Sequence, residues 1–456
     1  MVEERKKWLA LYMLCAGELM IVLDTTIVNV ALPSIQGSLG FTESALVWVV
    51  NAYMLTYGGF LLLGGRLGDL YGKRRLFLAG ITLFTGASLV CGIAGTQAVL
   101  VAARALQGLG GAVVSAIALS LIMNIFTEAG ERAKAMGIYG FVCAGGGSIG
   151  VLAGGLLTSA LSWHWVFLVN LPIGIAVYAF CTKLLKKGAA SMPGKLDVWG
   201  AVTITLSLML AVYGIVDGNQ AGWTSARTLS LLGGAVALLL VFLVLEGKVA
   251  APLMPLDLFR VKTVAAANIL GVFWAAAMFA WFFLSALYMQ TVLGYDPMQI
   301  GLAFLPSNLI MAAFSIWLSA KMVMRFGIRT PIVAGMLLSA AGLGLFALWP
   351  RDASFMLHVL PGMLLLGIGC GMALNPVMLA AMQDVAPEQS GLASGVVNTS
   401  FMMGGALGLA ILASLSERAG YHAAFAVAAL CALAAAGAAA WLPRAAQSEK
   451  EVQYAH

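Results

Sequence analysis

The stretch "CAGELMIVLDTTIVNVALP", Cys15–Pro33, is long and apolar enough to be the middle of a membrane-spanning helix, yet it carries Glu18 and Asp24. About 20 mostly apolar residues cross the hydrocarbon core of a bilayer. A carboxylate at the centre of such a helix costs roughly 2.5–3.5 kcal/mol on insertion scales. A chain that keeps two acids there has a partner or a use for them. The two lie about 120° apart around a helix and roughly 9 Å apart along it. This spacing argues against a proton-sharing dyad and for two separate duties.

The rest of the chain agrees with a membrane reading. Of 456 residues, 61% are hydrophobic and 10% charged, with mean hydropathy +0.97; a soluble domain is about 45–50% apolar and about 25% charged. The apolar runs are long and lack strand-type alternation, which predicts an all-α membrane protein and excludes an outer-membrane barrel. The first run has no small-residue cleavage site and reads as a retained helix rather than a signal peptide. The six cysteines stand singly in different runs, without CxxC or Cys/His clusters, so neither disulfides nor a metal site is expected.

Apolar runs between polar breaks predict fourteen spans, at about 8–32, 45–64, 76–95, 98–125, 135–160, 165–185, 197–216, 228–246, 264–293, 299–323, 331–349, 355–383, 391–415 and 421–443. With the N-terminus inside, the inner segments hold 21 Lys and Arg and the outer loops only Arg227, Arg351 and Arg418. This asymmetry predicts both termini in the cytoplasm of a cell (inner or plasma) membrane. It also accounts for the net charge of +6 without nucleic acid as a partner. "GRLGDLYGKRR" (Gly65–Arg75) after span two is echoed by "AKMVMRFGIRT" (Ala320–Thr330) after span ten. Two bundles of six with two helices between them follow: an N-terminal bundle over 1–188, inserted helices over 189–262 and a C-terminal bundle over 263–456. Repeats around a midplane site are a transporter architecture.

One basic residue remains, Arg104, and it sits inside span four. An Arg at that depth needs an acid, and Asp24 and Glu18 are the candidates. A static ion pair would fix packing; a titratable Asp24 would couple protonation to conformation or ligand. Glu18, nearer the cytoplasmic end, can also snorkel to the interface. In the loop after span two, Gly65, Gly68, Asp69 and Gly72 are spaced in a way that a mere basic anchor at Arg66, Arg74 and Arg75 does not explain. In "GGGSIGVLAGG", Gly146, Gly150 and Gly154 form a stripe that lets helices approach closely, whether as packing or as pivot. Span nine, with Trp274 and Trp281 in "FWAAAMFAWFF", and span twelve, with Asn375 before Pro376, are expected to line a cavity. Asn29, Tyr57, Gln107, Asn398 and Met402 join that list, with Asn375 and Asn398 as buried polar handles. An aromatic, Met-rich wall suits apolar cations.

These motifs, in this order, resemble the fourteen-helix drug:proton antiporters of the major facilitator superfamily over nearly the whole chain. "LDTTIVNVALP", "GRLGDLYGKRR", "RALQGLGGA", "WHWVFLVNLPIG" and "GLASGVVNTS" each look like a family motif. The resemblance implies a proton-coupled exporter of amphipathic or cationic hydrophobic small molecules. Protons would be the coupling ion and no cofactor would be needed. Asp24 would link protonation to binding, Arg104 would tune it, and Asp69 would latch a cytoplasmic gate. Gly146, Gly150, Gly154 and Gly155 fall on the antiporter motif. Three positions depart from the family: Val151 stands for a proline, His164 for an arginine, and Phe401–Met402 for an Arg-Gln pair, which leaves the cavity more apolar. A monomer in the bilayer is expected, with an adaptor protein as an optional partner. A dedicated exporter of one metabolite, lipid or antibiotic is the rival reading. An enzyme is disfavoured, since no nucleophile–base set, HExxH or P-loop is present.

Overall fold

The computed structural model describes residues 2–126, 128–185, 197–249, 252–314, 318–350, 352–382 and 390–442. Fourteen helical spans follow in order. In the first bundle they are α1 (Val2–Leu39), α2 (Glu43–Tyr71), α3 (Lys73–Gly92), α4 (Gln97–Ile125), α5 (Ala129–Ala160) and α6 (Trp165–Leu184). The inserted pair is α7 (Val198–Ala221) and α8 (Ala226–Glu246). The second bundle holds α9 (Lys262–Thr291), α10 (Pro297–Ala313, with a short helix Ser319–Phe326 after it), α11 (Arg329–Phe346), α12 (Leu360–Met382), α13 (Ser390–Ala419) and α14 (Tyr421–Ala439). Twelve are long and apolar enough to cross a membrane; α5 and α10 contribute the shorter apolar stretches Ile149–Ala160 and Pro297–Ala313. No strand occurs among the described residues.

Local chemistry sets the helix starts. Thr42, Thr96 and Ser225 each accept a backbone N–H of the first turn of α2, α4 and α8. Asp296 and Gln299 form a reciprocal capping box at α10, with Pro297 at its first position. Gly72, with φ of 93°, makes the turn between α2 and α3 in a conformation that side chains disfavour.

The packing repeats with an offset of eight helices. Within the first bundle α2 packs on α4, α3 on α4, α1 on α5, and α6 on both α1 and α3. Within the second, α10 packs on α12, α11 on α12, α9 on α13, and α14 on both α9 and α11. The bundles meet along two equivalent seams, α2 with α13 and α5 with α10. On the first seam Asn51 Nδ2 donates to Ala406 O at 2.8 Å. On the second, a Cβ on Gly155 would lie 2.9 Å from Pro297 O and one on Gly301 would lie 3.1 Å from Val151 O. Tyr421 also donates to Glu43 Oε1 at 2.7 Å, tying α14 to α2. These last contacts all lie at the end of the molecule opposite the start of α1. The inserted helices pack on each other, and α7 is the one that packs extensively on α2 and α13.

Because Gly155 meets backbone atoms, nothing across the α5–α10 seam can move aside as a side chain would. Gly155→Leu is expected to lower stability by about 1–3 kcal/mol, as overpacking does. Thermal unfolding of the purified variant checks this; an unchanged midpoint would show that the seam is not tightly closed.

Candidate functional site: a buried ion pair beneath an aromatic wall

Asp24 and Arg104 are buried, at 0% and 1% exposure, and Arg104 Nη1 donates to Asp24 Oδ2 at 2.5 Å. Of the two acids that sequence reasoning offered Arg104, Asp24 is the partner. Its other oxygen accepts from Gln107 Nε2 at 2.7 Å and Asn170 Nδ2 at 3.0 Å. Arg104 in turn donates to Val49 O at 2.8 Å and Gln107 Oε1 at 2.8 Å. Ser88 Oγ accepts from Gln107 at 2.8 Å. One carboxylate thus ties α1 to α4 and α6 directly and to α3 through Ser88. Gln107, read from sequence as cavity lining, is a ligand of Asp24 instead. Ser88 and Asn170 were not singled out; Asn170 carried the better signal, a lone amide inside the apolar run "VFLVNLP".

The glycines hold this arrangement together. A Cβ on Gly108, one turn beyond Arg104, would lie 2.3 Å from Tyr53 O, so α4 and α2 touch through backbone. That contact brings the Tyr53 ring to 4.4 Å from the Arg104 guanidinium carbon, within cation–π range. On α5, Gly146 faces Leu19 and Val22, Gly150 faces Leu23 and Thr26, and Gly154 faces Ile27, all on α1 around Asp24. Gly155 points the other way, to α10. The motif therefore presses the acid-bearing helix with three glycines and the second bundle with the fourth.

Glu18 belongs to a different environment. Its Oε1 accepts from Ser115 on α4 at 3.1 Å, Tyr139 of α5 interacts with it, and its Oε2 has no hydrogen-bond partner among the described residues. It shares no described hydrogen-bond partner with Asp24, as the six-residue spacing required. At the motif between α2 and α3, Arg74 donates to Thr182 O at 2.5 Å on α6. Gly65 and Gly68 face α4. The side chains of Arg66 and Asp69 lie outside the described ones.

An apolar wall adjoins the ion pair across α2. Tyr53 stacks on Tyr57 with ring centroids 5.8 Å apart. A Cβ on Gly405 of α13 would lie 2.8 Å from Met54 and 2.6 Å from Phe279. Phe401 packs on Trp274 at 5.3 Å and Phe279 at 5.9 Å. Met402 lies against Gly58 on the same seam. Tyr57, Trp274 and Met402 therefore gather with Met54, Phe279 and Phe401 where three helices meet. Other expected lining residues do not join them. Trp281 is fully buried against Phe282 and Phe304. Asn29 donates to Thr25 O of its own helix at 3.0 Å. Asn375 is exposed and Asn398 half-buried, against the expectation that both are buried. Ala373 and Val377 take the packed face of α12, and 3.6 residues per turn put Asn375 and Leu379 on the opposite one. His164, between α5 and α6, stacks on Trp163 at 3.7 Å, and burial lowers its pKa below the ordinary histidine value.

Residues 14–399 and, in a second overlapping match, 266–454 fit the family described as Major Facilitator Superfamily. The chain is 38% identical over 413 residues to the puromycin resistance protein pur8 of Streptomyces alboniger, covering 90% of this chain and 82% of that protein. It is 38% identical over 412 residues to the cephamycin export protein CmcT of Amycolatopsis lactamdurans, covering 89% and 84%. It is 37% identical over 401 residues to the multidrug resistance protein Stp of Mycobacterium tuberculosis, covering 88% and 74%. Among solved structures, a mutant of the nucleoside transporter NupG shares the fold with a TM-score of 0.70 at 12% identity, covering 95% of this chain and 100% of that one.

Removing Arg104 would leave Asp24 as an uncompensated buried charge, at a cost of about 3–5 kcal/mol. Arg104→Ala is therefore expected to lower the unfolding midpoint sharply, and adding Asp24→Asn is expected to recover part of the loss. Thermal unfolding of the two single variants and the double checks both. Equal stability of Arg104→Ala and wild type would mean that Asp24 is not left as an uncompensated buried charge.

Proposed function

The chain belongs to the Major Facilitator Superfamily, and on that footing we propose that it is a proton-coupled exporter of amphipathic or cationic hydrophobic compounds, embedded with both termini in the cytoplasm. The observation that carries this reading is the fully enclosed Asp24–Arg104 pair placed one helix away from an aromatic and Met-lined wall. The relatives named for puromycin, cephamycin and multidrug resistance support export of drug-like molecules.

The two ends of the device are joined by α2. Tyr53 covers Arg104, and the next residue, Met54, meets α13 at Gly405. Protonating Asp24 removes the charge that Arg104 balances, so the guanidinium gains reason to leave for another acceptor. Movement of Arg104 or Tyr53 shifts α2, and α2 forms one of the two seams between bundles. A bound compound on the wall biases the same seam from its other side. Each ligand shifts the equilibrium only by its differential affinity for the two access states. Asp69 fits a latch at the cytoplasmic end of α2, and Glu18 a second carboxylate whose protonation α4 and α5 would sense.

The narrow-substrate reading keeps one support, since two relatives are named for single antibiotics. A panel of dyes, biocides and antibiotics decides: export of several unrelated cations supports the broad reading, and a single hit the narrow one.

The decisive experiment is transport in proteoliposomes under an imposed pH gradient. Wild type is expected to pump a hydrophobic cation uphill, and Asp24→Asn to insert and fold yet lose uphill transport. Full-rate pumping by Asp24→Asn would refute the coupling role. Asp69→Ala is expected to slow turnover while leaving substrate affinity near wild type; an unchanged rate would remove the latch.

A further inference from the structure

The inserted helices carry an acidic pair that the transport scheme does not use. Asp197 caps the start of α7 and Glu246 ends α8; they are buried, at 6% and 4% exposure. Each carboxyl group commits one oxygen to the backbone. Asp197 Oδ1 accepts from Gly200 N at 2.7 Å, and Glu246 Oε2 accepts from Met254 N at 3.0 Å. The other two oxygens, Asp197 Oδ2 and Glu246 Oε1, have no hydrogen-bond partner among the described residues. They face the same point over Gly200, where a Cβ would lie 2.3 Å from the first and 2.8 Å from the second. A side chain at position 200 would occupy the space in which the two oxygens face each other.

Two buried carboxyl groups that face each other repel when both are charged, and one proton shared between them removes that repulsion. The described neighbours bring no counter-charge. From α2 come Leu63 and Leu67, and from α13 Met403. Lys248 is exposed, while Asp257 and Arg260 pair with each other at the surface at 3.2 Å. The side chains of Lys195, Arg66 and Asp69, nearby in the chain or on the adjoining end of α2, lie outside the described ones, so Arg66 enters the test below.

We propose that Asp197 and Glu246 form a proton-binding site separate from Asp24: a carboxyl–carboxylate pair that holds one proton between Oδ2 and Oε1. The bound proton clasps the start of α7 to the end of α8. The clasp bears on the whole molecule because α7 is the inserted helix that lies against both α2 and α13. Ala201, one residue past Gly200, packs under Leu63 of α2, and Ile204 packs with Met403 of α13. Loss of the proton sets two charges against each other at the foot of that helix.

Infrared difference spectroscopy on the purified protein at neutral pH reads the proton directly and needs no transport substrate. Wild type minus Glu246→Gln, and separately wild type minus Asp197→Asn, is expected to show a carboxylic-acid C=O band that shifts in D2O. Each variant removes one of the two oxygens that hold the proton, so each is expected to remove or shift the same band. Arg66→Gln is expected to leave the band unchanged. A difference spectrum with carboxylate bands alone overturns the proposal, and so does a band that first appears in Arg66→Gln. Stabilisation of wild type but not Glu246→Gln by sodium over choline, at equal ionic strength, also overturns it, because a metal cation would then occupy the place of the proton.

Discussion

A charge placed in oil must be neutralised where it stands, and the first bundle is built around that constraint. Asp24 is fully buried, and Arg104, Gln107 and Asn170 supply three donors from two other helices. Those donors are directional, which makes the neutralising shell also a register pin for α1, α4 and α6. An apolar core of the same volume would be as stable or more so. Keeping the pair therefore makes sense for a protein that needs a site whose charge can change, and less for one that needs only packing.

The same logic explains where the glycines fall. No room for a side chain is left between α1 and α5 or between α4 and α2: a Cβ on Gly150 would meet Leu23 O at 3.1 Å and one on Gly108 would meet Tyr53 O at 2.3 Å. Gly155 repeats the device between bundles rather than within one. A seam of backbone contacts has few intermediate positions: it is closed, or it is parted. Such bistable interfaces are what a rocking motion between two access states requires.

Much of this was legible from residue order and some was not. The apolar runs gave the spans, and the echo of Gly65–Arg75 in Ala320–Thr330 pointed to the two bundles that the helix pairings display. The need of a deep arginine for an acid pointed to Arg104 with Asp24 or Glu18. Local pattern could not choose between them, because the choice depends on which face of α1 meets α4. Ser88 was invisible for the opposite reason: a serine in an apolar helix normally satisfies itself on the preceding turn, as Ser88 also does at Phe84 O. Asn29 does this too, at Thr25 O. Asp197 and Glu246 each read as an ordinary helix-end acid. Only the antiparallel packing of α7 on α8 brings them together.

The enclosure of Asp24 narrows how proton and substrate can compete. The sequence allowed a direct exchange in which a cation takes the place of a proton on the carboxylate. In this conformation Asp24 is wholly covered and both its oxygens are occupied, so a substrate cation on the wall cannot touch it. What the wall and the acid share is Tyr53, whose ring already holds the Arg104 guanidinium. Competition must then run through that ring and through the position of α2. A hydrophobic cation that draws Tyr53 or Tyr57 toward itself weakens the hold on Arg104, and a proton on Asp24 frees Arg104 to compete for the same aromatic face. Coupling of this kind depends on the charge and polarisability of the substrate more than on its shape. An antagonism mediated by an aromatic ring is thus compatible with many different compounds, which a single carboxylate fitted to one ligand would not be.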